Sequence, residues 1–178
     1  AVIANNGYSD NQADNLLNSG RTFNYYTYNN ETDNYQQDHY QAHFNHELSE
    51  NSNLHLALHY TYGRGYYEQF REDDNLVNYY GYMKDELINL IRRRWLENHF
   101  YGITYSFLKN SEKGELNIGG AINEYDGDHF GKIIQPETPT NDPYYFSKSF
   151  KKDGNVFIKY NYNLSNSLNL LIDFQIRK

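Results

Sequence analysis

Between Tyr101 and Ile122 apolar and polar positions alternate with a period of two. Tyr101, Ile103, Tyr105 and Phe107 share one parity, and after a polar knot from Lys109 to Gly114 the pattern resumes with Leu116, Ile118, Gly120 and Ile122. The residues between them are small or polar: Gly102, Thr104 and Ser106, then Asn117, Gly119, Ala121 and Asn123. Period two marks a strand with two unlike faces, and a short polar break between two such runs marks a hairpin. The pattern occurs twice more. Tyr40, Ala42, Phe44, His46 and Leu48 are followed, after a turn, by Leu54, Leu56, Leu58, Tyr60 and Tyr62. Val156, Ile158, Tyr160, Tyr162 and Leu164 are followed by Leu168, Leu170, Ile172, Phe174 and Ile176. The alternation predicts six strands over about 35–49, 52–70, 92–109, 115–130, 145–164 and 167–178. The expected fold is all-β, an antiparallel up-and-down meander with each strand paired to its sequence neighbours.

The connections sort strictly by length. Those inside hairpins are short (Ser49–Asn53, Asn110–Gly114, Ser165–Ser167), whereas those between hairpins span about residues 71–90 and 127–150. A polar segment, 1–34, precedes the first strand. Transmembrane β-barrels sort in this way, with short periplasmic turns and long extracellular loops, an apolar face toward lipid and a polar face toward the lumen. Rows of about five apolar residues suit strands that need about 9–11 residues to cross a bilayer. Aromatics stand at the row ends, with Phe107, Tyr105 and Tyr162 near the short turns and Tyr40, Tyr62 and Tyr101 toward the long loops, as two interfacial girdles would. The expected organisation is one partial barrel segment over 1–178, with 1–34 as an extracellular loop and hairpins over 35–70, 92–130 and 145–178.

Composition fits this picture. Mean hydropathy is as low as that of a disordered chain, but 17% of residues are aromatic, including 20 Tyr, and disordered chains are poor in aromatics. A lipid-facing strand needs only every second residue apolar, so the average stays low. The net charge of -7, without a basic block, argues against a nucleic-acid partner. Cysteine is absent, which excludes disulfides and thiol chemistry. No run of 18 apolar residues offers a transmembrane helix. The opening "AVIANNGYSDNQADN" lacks the basic start and apolar run of a signal peptide, so an exported protein is represented here by a mature form or an internal piece. No GxSxG, HExxH or P-loop occurs; the chain is not expected to be an enzyme or to carry a cofactor.

Several groups of residues are candidates for binding. His39, His43, His55 and His59, with Lys159 and Asp173, fall on the lumen-facing parity. Depending on register, His43 lies opposite His55 or His59, where two imidazoles would suit a metal or haem. Polar lumen lining is the favoured alternative, and no metal site is assigned. His46 falls on the lipid-facing parity. In "NEYDGDHFG", Glu124, Asp126 and Asp128 gather around a glycine, but the remaining ligands of a calcium loop are missing, and a turn at the barrel rim is expected instead. "RRRW" places Arg92, Arg93, Arg94 and Trp95 near the outer rim. Arg forks suit carboxylates or phosphates and Trp stacks on sugars or flat ligands. The favoured alternative is cross-strand ion pairing with Glu68, Glu97 or Glu124, plus contacts to lipopolysaccharide phosphates. Tyr79 and Tyr80, in "NYYGYM", and the tyrosines of "NYYTY" (24–28) offer further contact area. The ligand-binding candidates are therefore Arg92, Arg93, Arg94, Trp95, Tyr79 and Tyr80, and no residue is a catalytic candidate.

At "RRRWLENHFYG", "IGGAINEYDGDHFG", "NVFIKYNYNLSNSLNLLIDFQIR" and "ETDNYQQDHYQAHFNHELSENSNLHLALHYTYGRGYYEQF", over roughly residues 21–178, the chain resembles the barrel portion of TonB-dependent outer-membrane receptors of the branch common in Bacteroidota. The resemblance implies the outer membrane of a Gram-negative bacterium. It implies active import of a scarce nutrient (an iron chelate, haem, cobalamin or a glycan) energised through TonB. The partners it implies are outer-membrane lipid and lipopolysaccharide, the rest of the barrel and its plug, TonB through an N-terminal part, and a surface lipoprotein. The plug, the TonB segment and most of a barrel of about 22 strands are not in these residues, so the chain is expected to be an internal piece. Two other classes stay open: a non-energised porin or barrel enzyme, and a soluble extracellular β-sandwich that binds glycans through its aromatics.

Overall fold

The computed structural model describes residues 10–22, 28–81, 85–138 and 141–178. The chain divides into two compact units, residues 1–31 and 32–178. In the first, the helix α1 spans Asp10–Ser19 and ends in a 3-10 turn over Gly20–Thr22. Ala13, Leu16 and Leu17 recur at the helical spacing. The segment 1–34 is thus not a loop throughout: it holds α1, and the first strand begins at Asp33.

The second unit is one six-stranded antiparallel sheet in sequence order. Its strands are β1 (Asp33–Ser49), β2 (Ser52–Asn75), β3 (Leu87–Ser111), β4 (Gly114–Gln135), β5 (Tyr145–Ser165) and β6 (Leu168–Arg177). The expected meander is found. At one end of the sheet every connection is two residues long: 50–51, 112–113 and 166–167. Gly114 closes the middle turn at φ 155°, where a Cβ would run into the Asn161 carbonyl oxygen of the neighbouring strand. At the other end the connections span 76–86 and 136–144. Strands run further toward this end than the alternation predicts, because β2 continues to Asn75 and β3 starts at Leu87. Residues 123–131, expected as a rim turn, continue β4 without a break.

The register aligns the apolar positions in rows across the sheet. Phe44, Leu56, Tyr105, Gly120, Val156 and Ile176 form one row, and His46, Leu54, Phe107, Ile118, Ile158 and Phe174 form the next. Tyr40, Tyr60 and Tyr101 stand side by side toward the long connections. This face is bare: Leu58 is 56% exposed, Ile122 59% and Phe174 58%. The buried apolar cluster lies elsewhere and is small. Leu76, Tyr80, Leu90 and Ile133 form it, with Leu90 and Ile133 on the parity that is polar lower down. The 3-10 turn Leu76–Asn78 covers them, held by the Asn75 side chain, which accepts the Val77 N–H. The Tyr80 hydroxyl donates to the Asp142 carbonyl at 2.8 Å, tying the two long connections together. Each such buried side chain contributes about 1.5–3 kcal/mol, too little over four residues to account for ordering more than a hundred.

Candidate functional site

The polar face carries the six residues expected to line a lumen. His39, His43, His55 and His59 share it with Lys159 and Asp173, which stand directly opposite each other on β5 and β6. The histidines do not pair. His43 faces Ala57, while His59 faces Gln41 and His55 faces Asn45. The expectation that His43 meets His55 or His59 is therefore corrected by a register in which Ala57 separates them. Each imidazole has a polar neighbour instead. His39 Nδ1 lies 2.9 Å from Thr61 Oγ1, His55 Nδ1 2.7 Å from Asn45 Oδ1, and His59 Nε2 2.9 Å from Asn123 Oδ1. Among the described residues no three His, Asp or Glu side chains group as a metal site would. Between the histidines and β5 the face is floored by Ala57, Thr104, Ser106 and Ala121, leaving an open hollow of about 540 Å³.

Toward the long connections the polar face becomes a tyrosine–arginine surface. Arg92 donates to Gln69 Oε1 at 3.0 and 2.6 Å and to the Tyr79 hydroxyl at 2.9 Å. Tyr79 in turn donates to Asp74 at 2.6 Å. Arg94 donates to the Tyr67 hydroxyl at 2.9 Å, and a second hollow, of about 340 Å³, lies among Tyr35, Tyr67, Arg94, His129 and Tyr145. The Tyr35 hydroxyl accepts from Asn98, and its ring lies over Gly63 and Gly65. Sequence reasoning missed this last arrangement; its signal is the alternation of glycines in "YGRGYY" opposite an aromatic on the neighbouring strand.

The "RRRW" group does not act together. Successive strand residues point to opposite faces, so Arg92 and Arg94 lie on the polar face and Arg93 and Trp95 on the apolar one. Arg93 pairs with the buried Glu68 at 2.7 Å, and Trp95 packs between Tyr66 and Phe130. Of the expected acidic partners, Glu97 instead accepts from Tyr62 and Glu124 pairs with Lys152 at 2.8 Å. The Tyr79 hydroxyl accepts from Arg92, whereas the Tyr80 side chain lies in the buried cluster. Asp126 and Asp128 share Lys148 at 3.4 and 3.9 Å rather than enclosing a cation. Most of "NYYTY" lies outside the described residues.

Comparison with protein-family models, with curated proteins and with solved structures finds no match to this chain.

The Asp74–Tyr79–Arg92 brace is expected to make the first long connection pH-sensitive through Asp74 and Tyr79. Burial raises the Asp74 carboxyl, but hydrogen bonds from Tyr79, the Asn75 N–H and Arg71 outweigh it and hold the group below its ordinary value of 3.8. Burial, followed by the bond to Asp74, raises the Tyr79 phenol above 10.0. A depressed carboxyl contributes stability above its unfolded value and loses it as the pH falls through the folded one; a raised phenol contributes below its unfolded value and loses it as the pH rises through the folded one. The brace is thus expected to hold from about pH 4 to pH 10. Protection factors of the Tyr79 and Tyr80 amides, both bonded to the Leu76 carbonyl, should drop below pH 4 and be pH-independent there in Asp74→Asn. Acid-insensitive protection in the parent chain would exclude this brace.

Proposed function

We propose that the chain is a lipid-facing segment of an outer-membrane β-barrel, within a receptor that imports a scarce nutrient. The observation that carries the barrel part is an inversion. The continuous apolar rows cover the face of the sheet that nothing buries, while the opposite face is lined by small and hydrogen-bonded polar side chains. A soluble sheet needs its apolar face covered; a barrel needs it turned to lipid, with every backbone group paired around a closed ring. The apolar run is also oblique. Toward the long connections it ends at Tyr62 on β2, Tyr101 on β3, Ile122 on β4 and Val156 on β5, and in register Ile122 stands level with Leu58, two rows below Tyr62. Toward the short turns it starts level at Leu54 and Phe107, then one row lower at Leu116 and two rows lower again at Leu164, so that from β3 to β5 this edge descends in the same direction. Strands tilted by about 35–45° through a flat membrane require such a step. No helix among the described residues is long and apolar enough to cross a membrane, which leaves crossing by strands untouched.

The receptor part rests on the resemblance and on the tyrosine- and arginine-rich surface facing the would-be lumen. Single cysteines at Ile103, Ile118 and Ile158 should resist a membrane-impermeant maleimide in intact outer membranes and be quenched by brominated lipid when labelled. Cysteines at Thr104, Asn117 and Lys159 should show the opposite behaviour. Equal labelling of both sets would end the barrel assignment. Uptake that survives collapse of the proton-motive force in cells expressing the full-length protein would end the energised-receptor assignment alone.

A further inference from the structure

The apolar face does not end at its tyrosine row. Beyond Tyr40, Tyr60 and Tyr101 comes a charged belt: Arg64, Glu97, Asp128 and Lys148 stand level across four strands, and Asp38, level with Tyr62 one row nearer the tyrosines, pairs diagonally with Arg64. Beyond the belt comes a second aromatic row. Tyr66 and Trp95 lie 4.5 Å apart between ring centres, Trp95 and Phe130 stack at 6.0 Å and 7°, and Phe146 follows at 6.4 Å. A hollow of about 420 Å³ opens between belt and row, lined among others by Arg64, Tyr66, Trp95, Glu97, Phe130 and Lys132.

Three features of this hollow point to a ligand with sugars and phosphate. The Trp95 indole N–H is buried without an acceptor, although a buried indole N–H is normally hydrogen-bonded. Lys132 makes no ion pair among the described residues, and its ammonium lies 5.9 Å from the Phe130 ring centre. Arg64 gives only one nitrogen, Nη1, to Asp38, at 2.6 Å, and its side chain stays 37% exposed. Aromatic planes, a free indole donor and two cations together match a phosphorylated saccharide.

Position selects the source. From Tyr62 to Tyr66 and from Tyr101 to Trp95 the chain rises four and six residues, about 10–15 Å along the membrane normal at a barrel's tilt. A phospholipid headgroup layer is only about 5–8 Å deep. The hollow therefore lies above phospholipid phosphates and within reach of a lipid that carries several sugars.

We propose that this hollow binds the sugar-phosphate headgroup of an outer-leaflet glycolipid of the lipopolysaccharide type. The proposal rests on the barrel assignment above, because only then does this face meet the outer leaflet. The test is native mass spectrometry and binding titration of the full-length protein in detergent, with purified lipopolysaccharide, phosphatidylglycerol, the delipidated core oligosaccharide and inorganic phosphate as separate probes. Lipopolysaccharide should bind best, and Lys132→Glu should weaken it about tenfold. Trp95→Phe, which keeps the stack and removes the N–H, should weaken it several-fold. Unchanged lipopolysaccharide binding in both variants would overturn the proposal, as would phosphatidylglycerol binding equally well. Core oligosaccharide binding as tightly as the intact lipid would overturn it in favour of a soluble sugar ligand. The cysteine-labelling pattern of the membrane rows is independent of this hollow, so its failure marks failure of the barrel assignment, and its success with unaltered lipid binding marks failure of the headgroup site alone.

Discussion

The 178-residue chain on its own is expected to sediment in detergent-free buffer as large or polydisperse species, and as a small uniform particle only once detergent is added. Two features compel this. β1 and β6 each pair on one side only, and an unpaired edge recruits further strands. The apolar rows are also uncovered, with Tyr40, Leu58, Ile122, Leu170, Ile172 and Ile176 all exposed, a patch well beyond what soluble monomers carry. A compact monomer with one cooperative melting transition in plain buffer would sink the barrel assignment. It would raise the two-sheet sandwich in its place, since the rows would then have to face a second layer.

The second large effect is a single substitution. Ile158 stands in the apolar band, one step inside its Val156 end on β5, between Ile118 and Phe174, and is 43% exposed. In the membrane-embedded full-length protein Ile158→Arg should cost roughly 2–4 kcal/mol, the cost of a guanidinium at mid-bilayer. Its neighbour Lys159 points to the other face, and Lys159→Ala should change stability by less than about 0.5 kcal/mol. Denaturant titration in lipid vesicles measures both. Equal tolerance at the two positions would show that neither side of the sheet faces lipid.

The strands are legible in the sequence because one physical rule, alternation, runs through all six. Where the rule changes, the sequence misleads. Beyond about Phe70 and before Arg92 the buried positions switch face: Leu90 and Ile133 take the parity that is polar lower down, and a loop covers them. Alternation stops signalling strand there, so β2, β3 and β4 run further than expected. "EYDGD" was open to misreading as a turn because Gly127 invites one, yet the Tyr125 ring lies against that glycine and the strand continues. "RRRW" is a cluster in sequence and two separate pairs in space. The period of two already implies that split, whereas the partners Glu68, Gln69 and Tyr79 follow from register and loop conformation, which no local pattern carries. The helix α1 hides in a polar segment whose only helical signal is Ala13, Leu16 and Leu17. The outer-face hollow was illegible for a similar reason, since it needs β1 to β4 in register.

The sequence-ordered sheet, with two-residue turns at one end only, has a bearing on how such a protein changes over generations. Every ladder joins neighbours in the chain, so the hairpin is a unit that brings its own register. A further hairpin inserted within 136–144 would part β4 from β5 and leave the pairings β1–β2, β2–β3, β3–β4 and β5–β6 as they are. The width of the sheet can therefore be revised two strands at a time, with both new ends on the same side of the sheet, while the face each residue presents stays fixed by its parity. The link from Tyr80 to Asp142 works against that freedom, because it fastens the β2–β3 connection to the β4–β5 connection. Insertions that respect it belong in the stretch after Asp142 or outside the β2–β5 block.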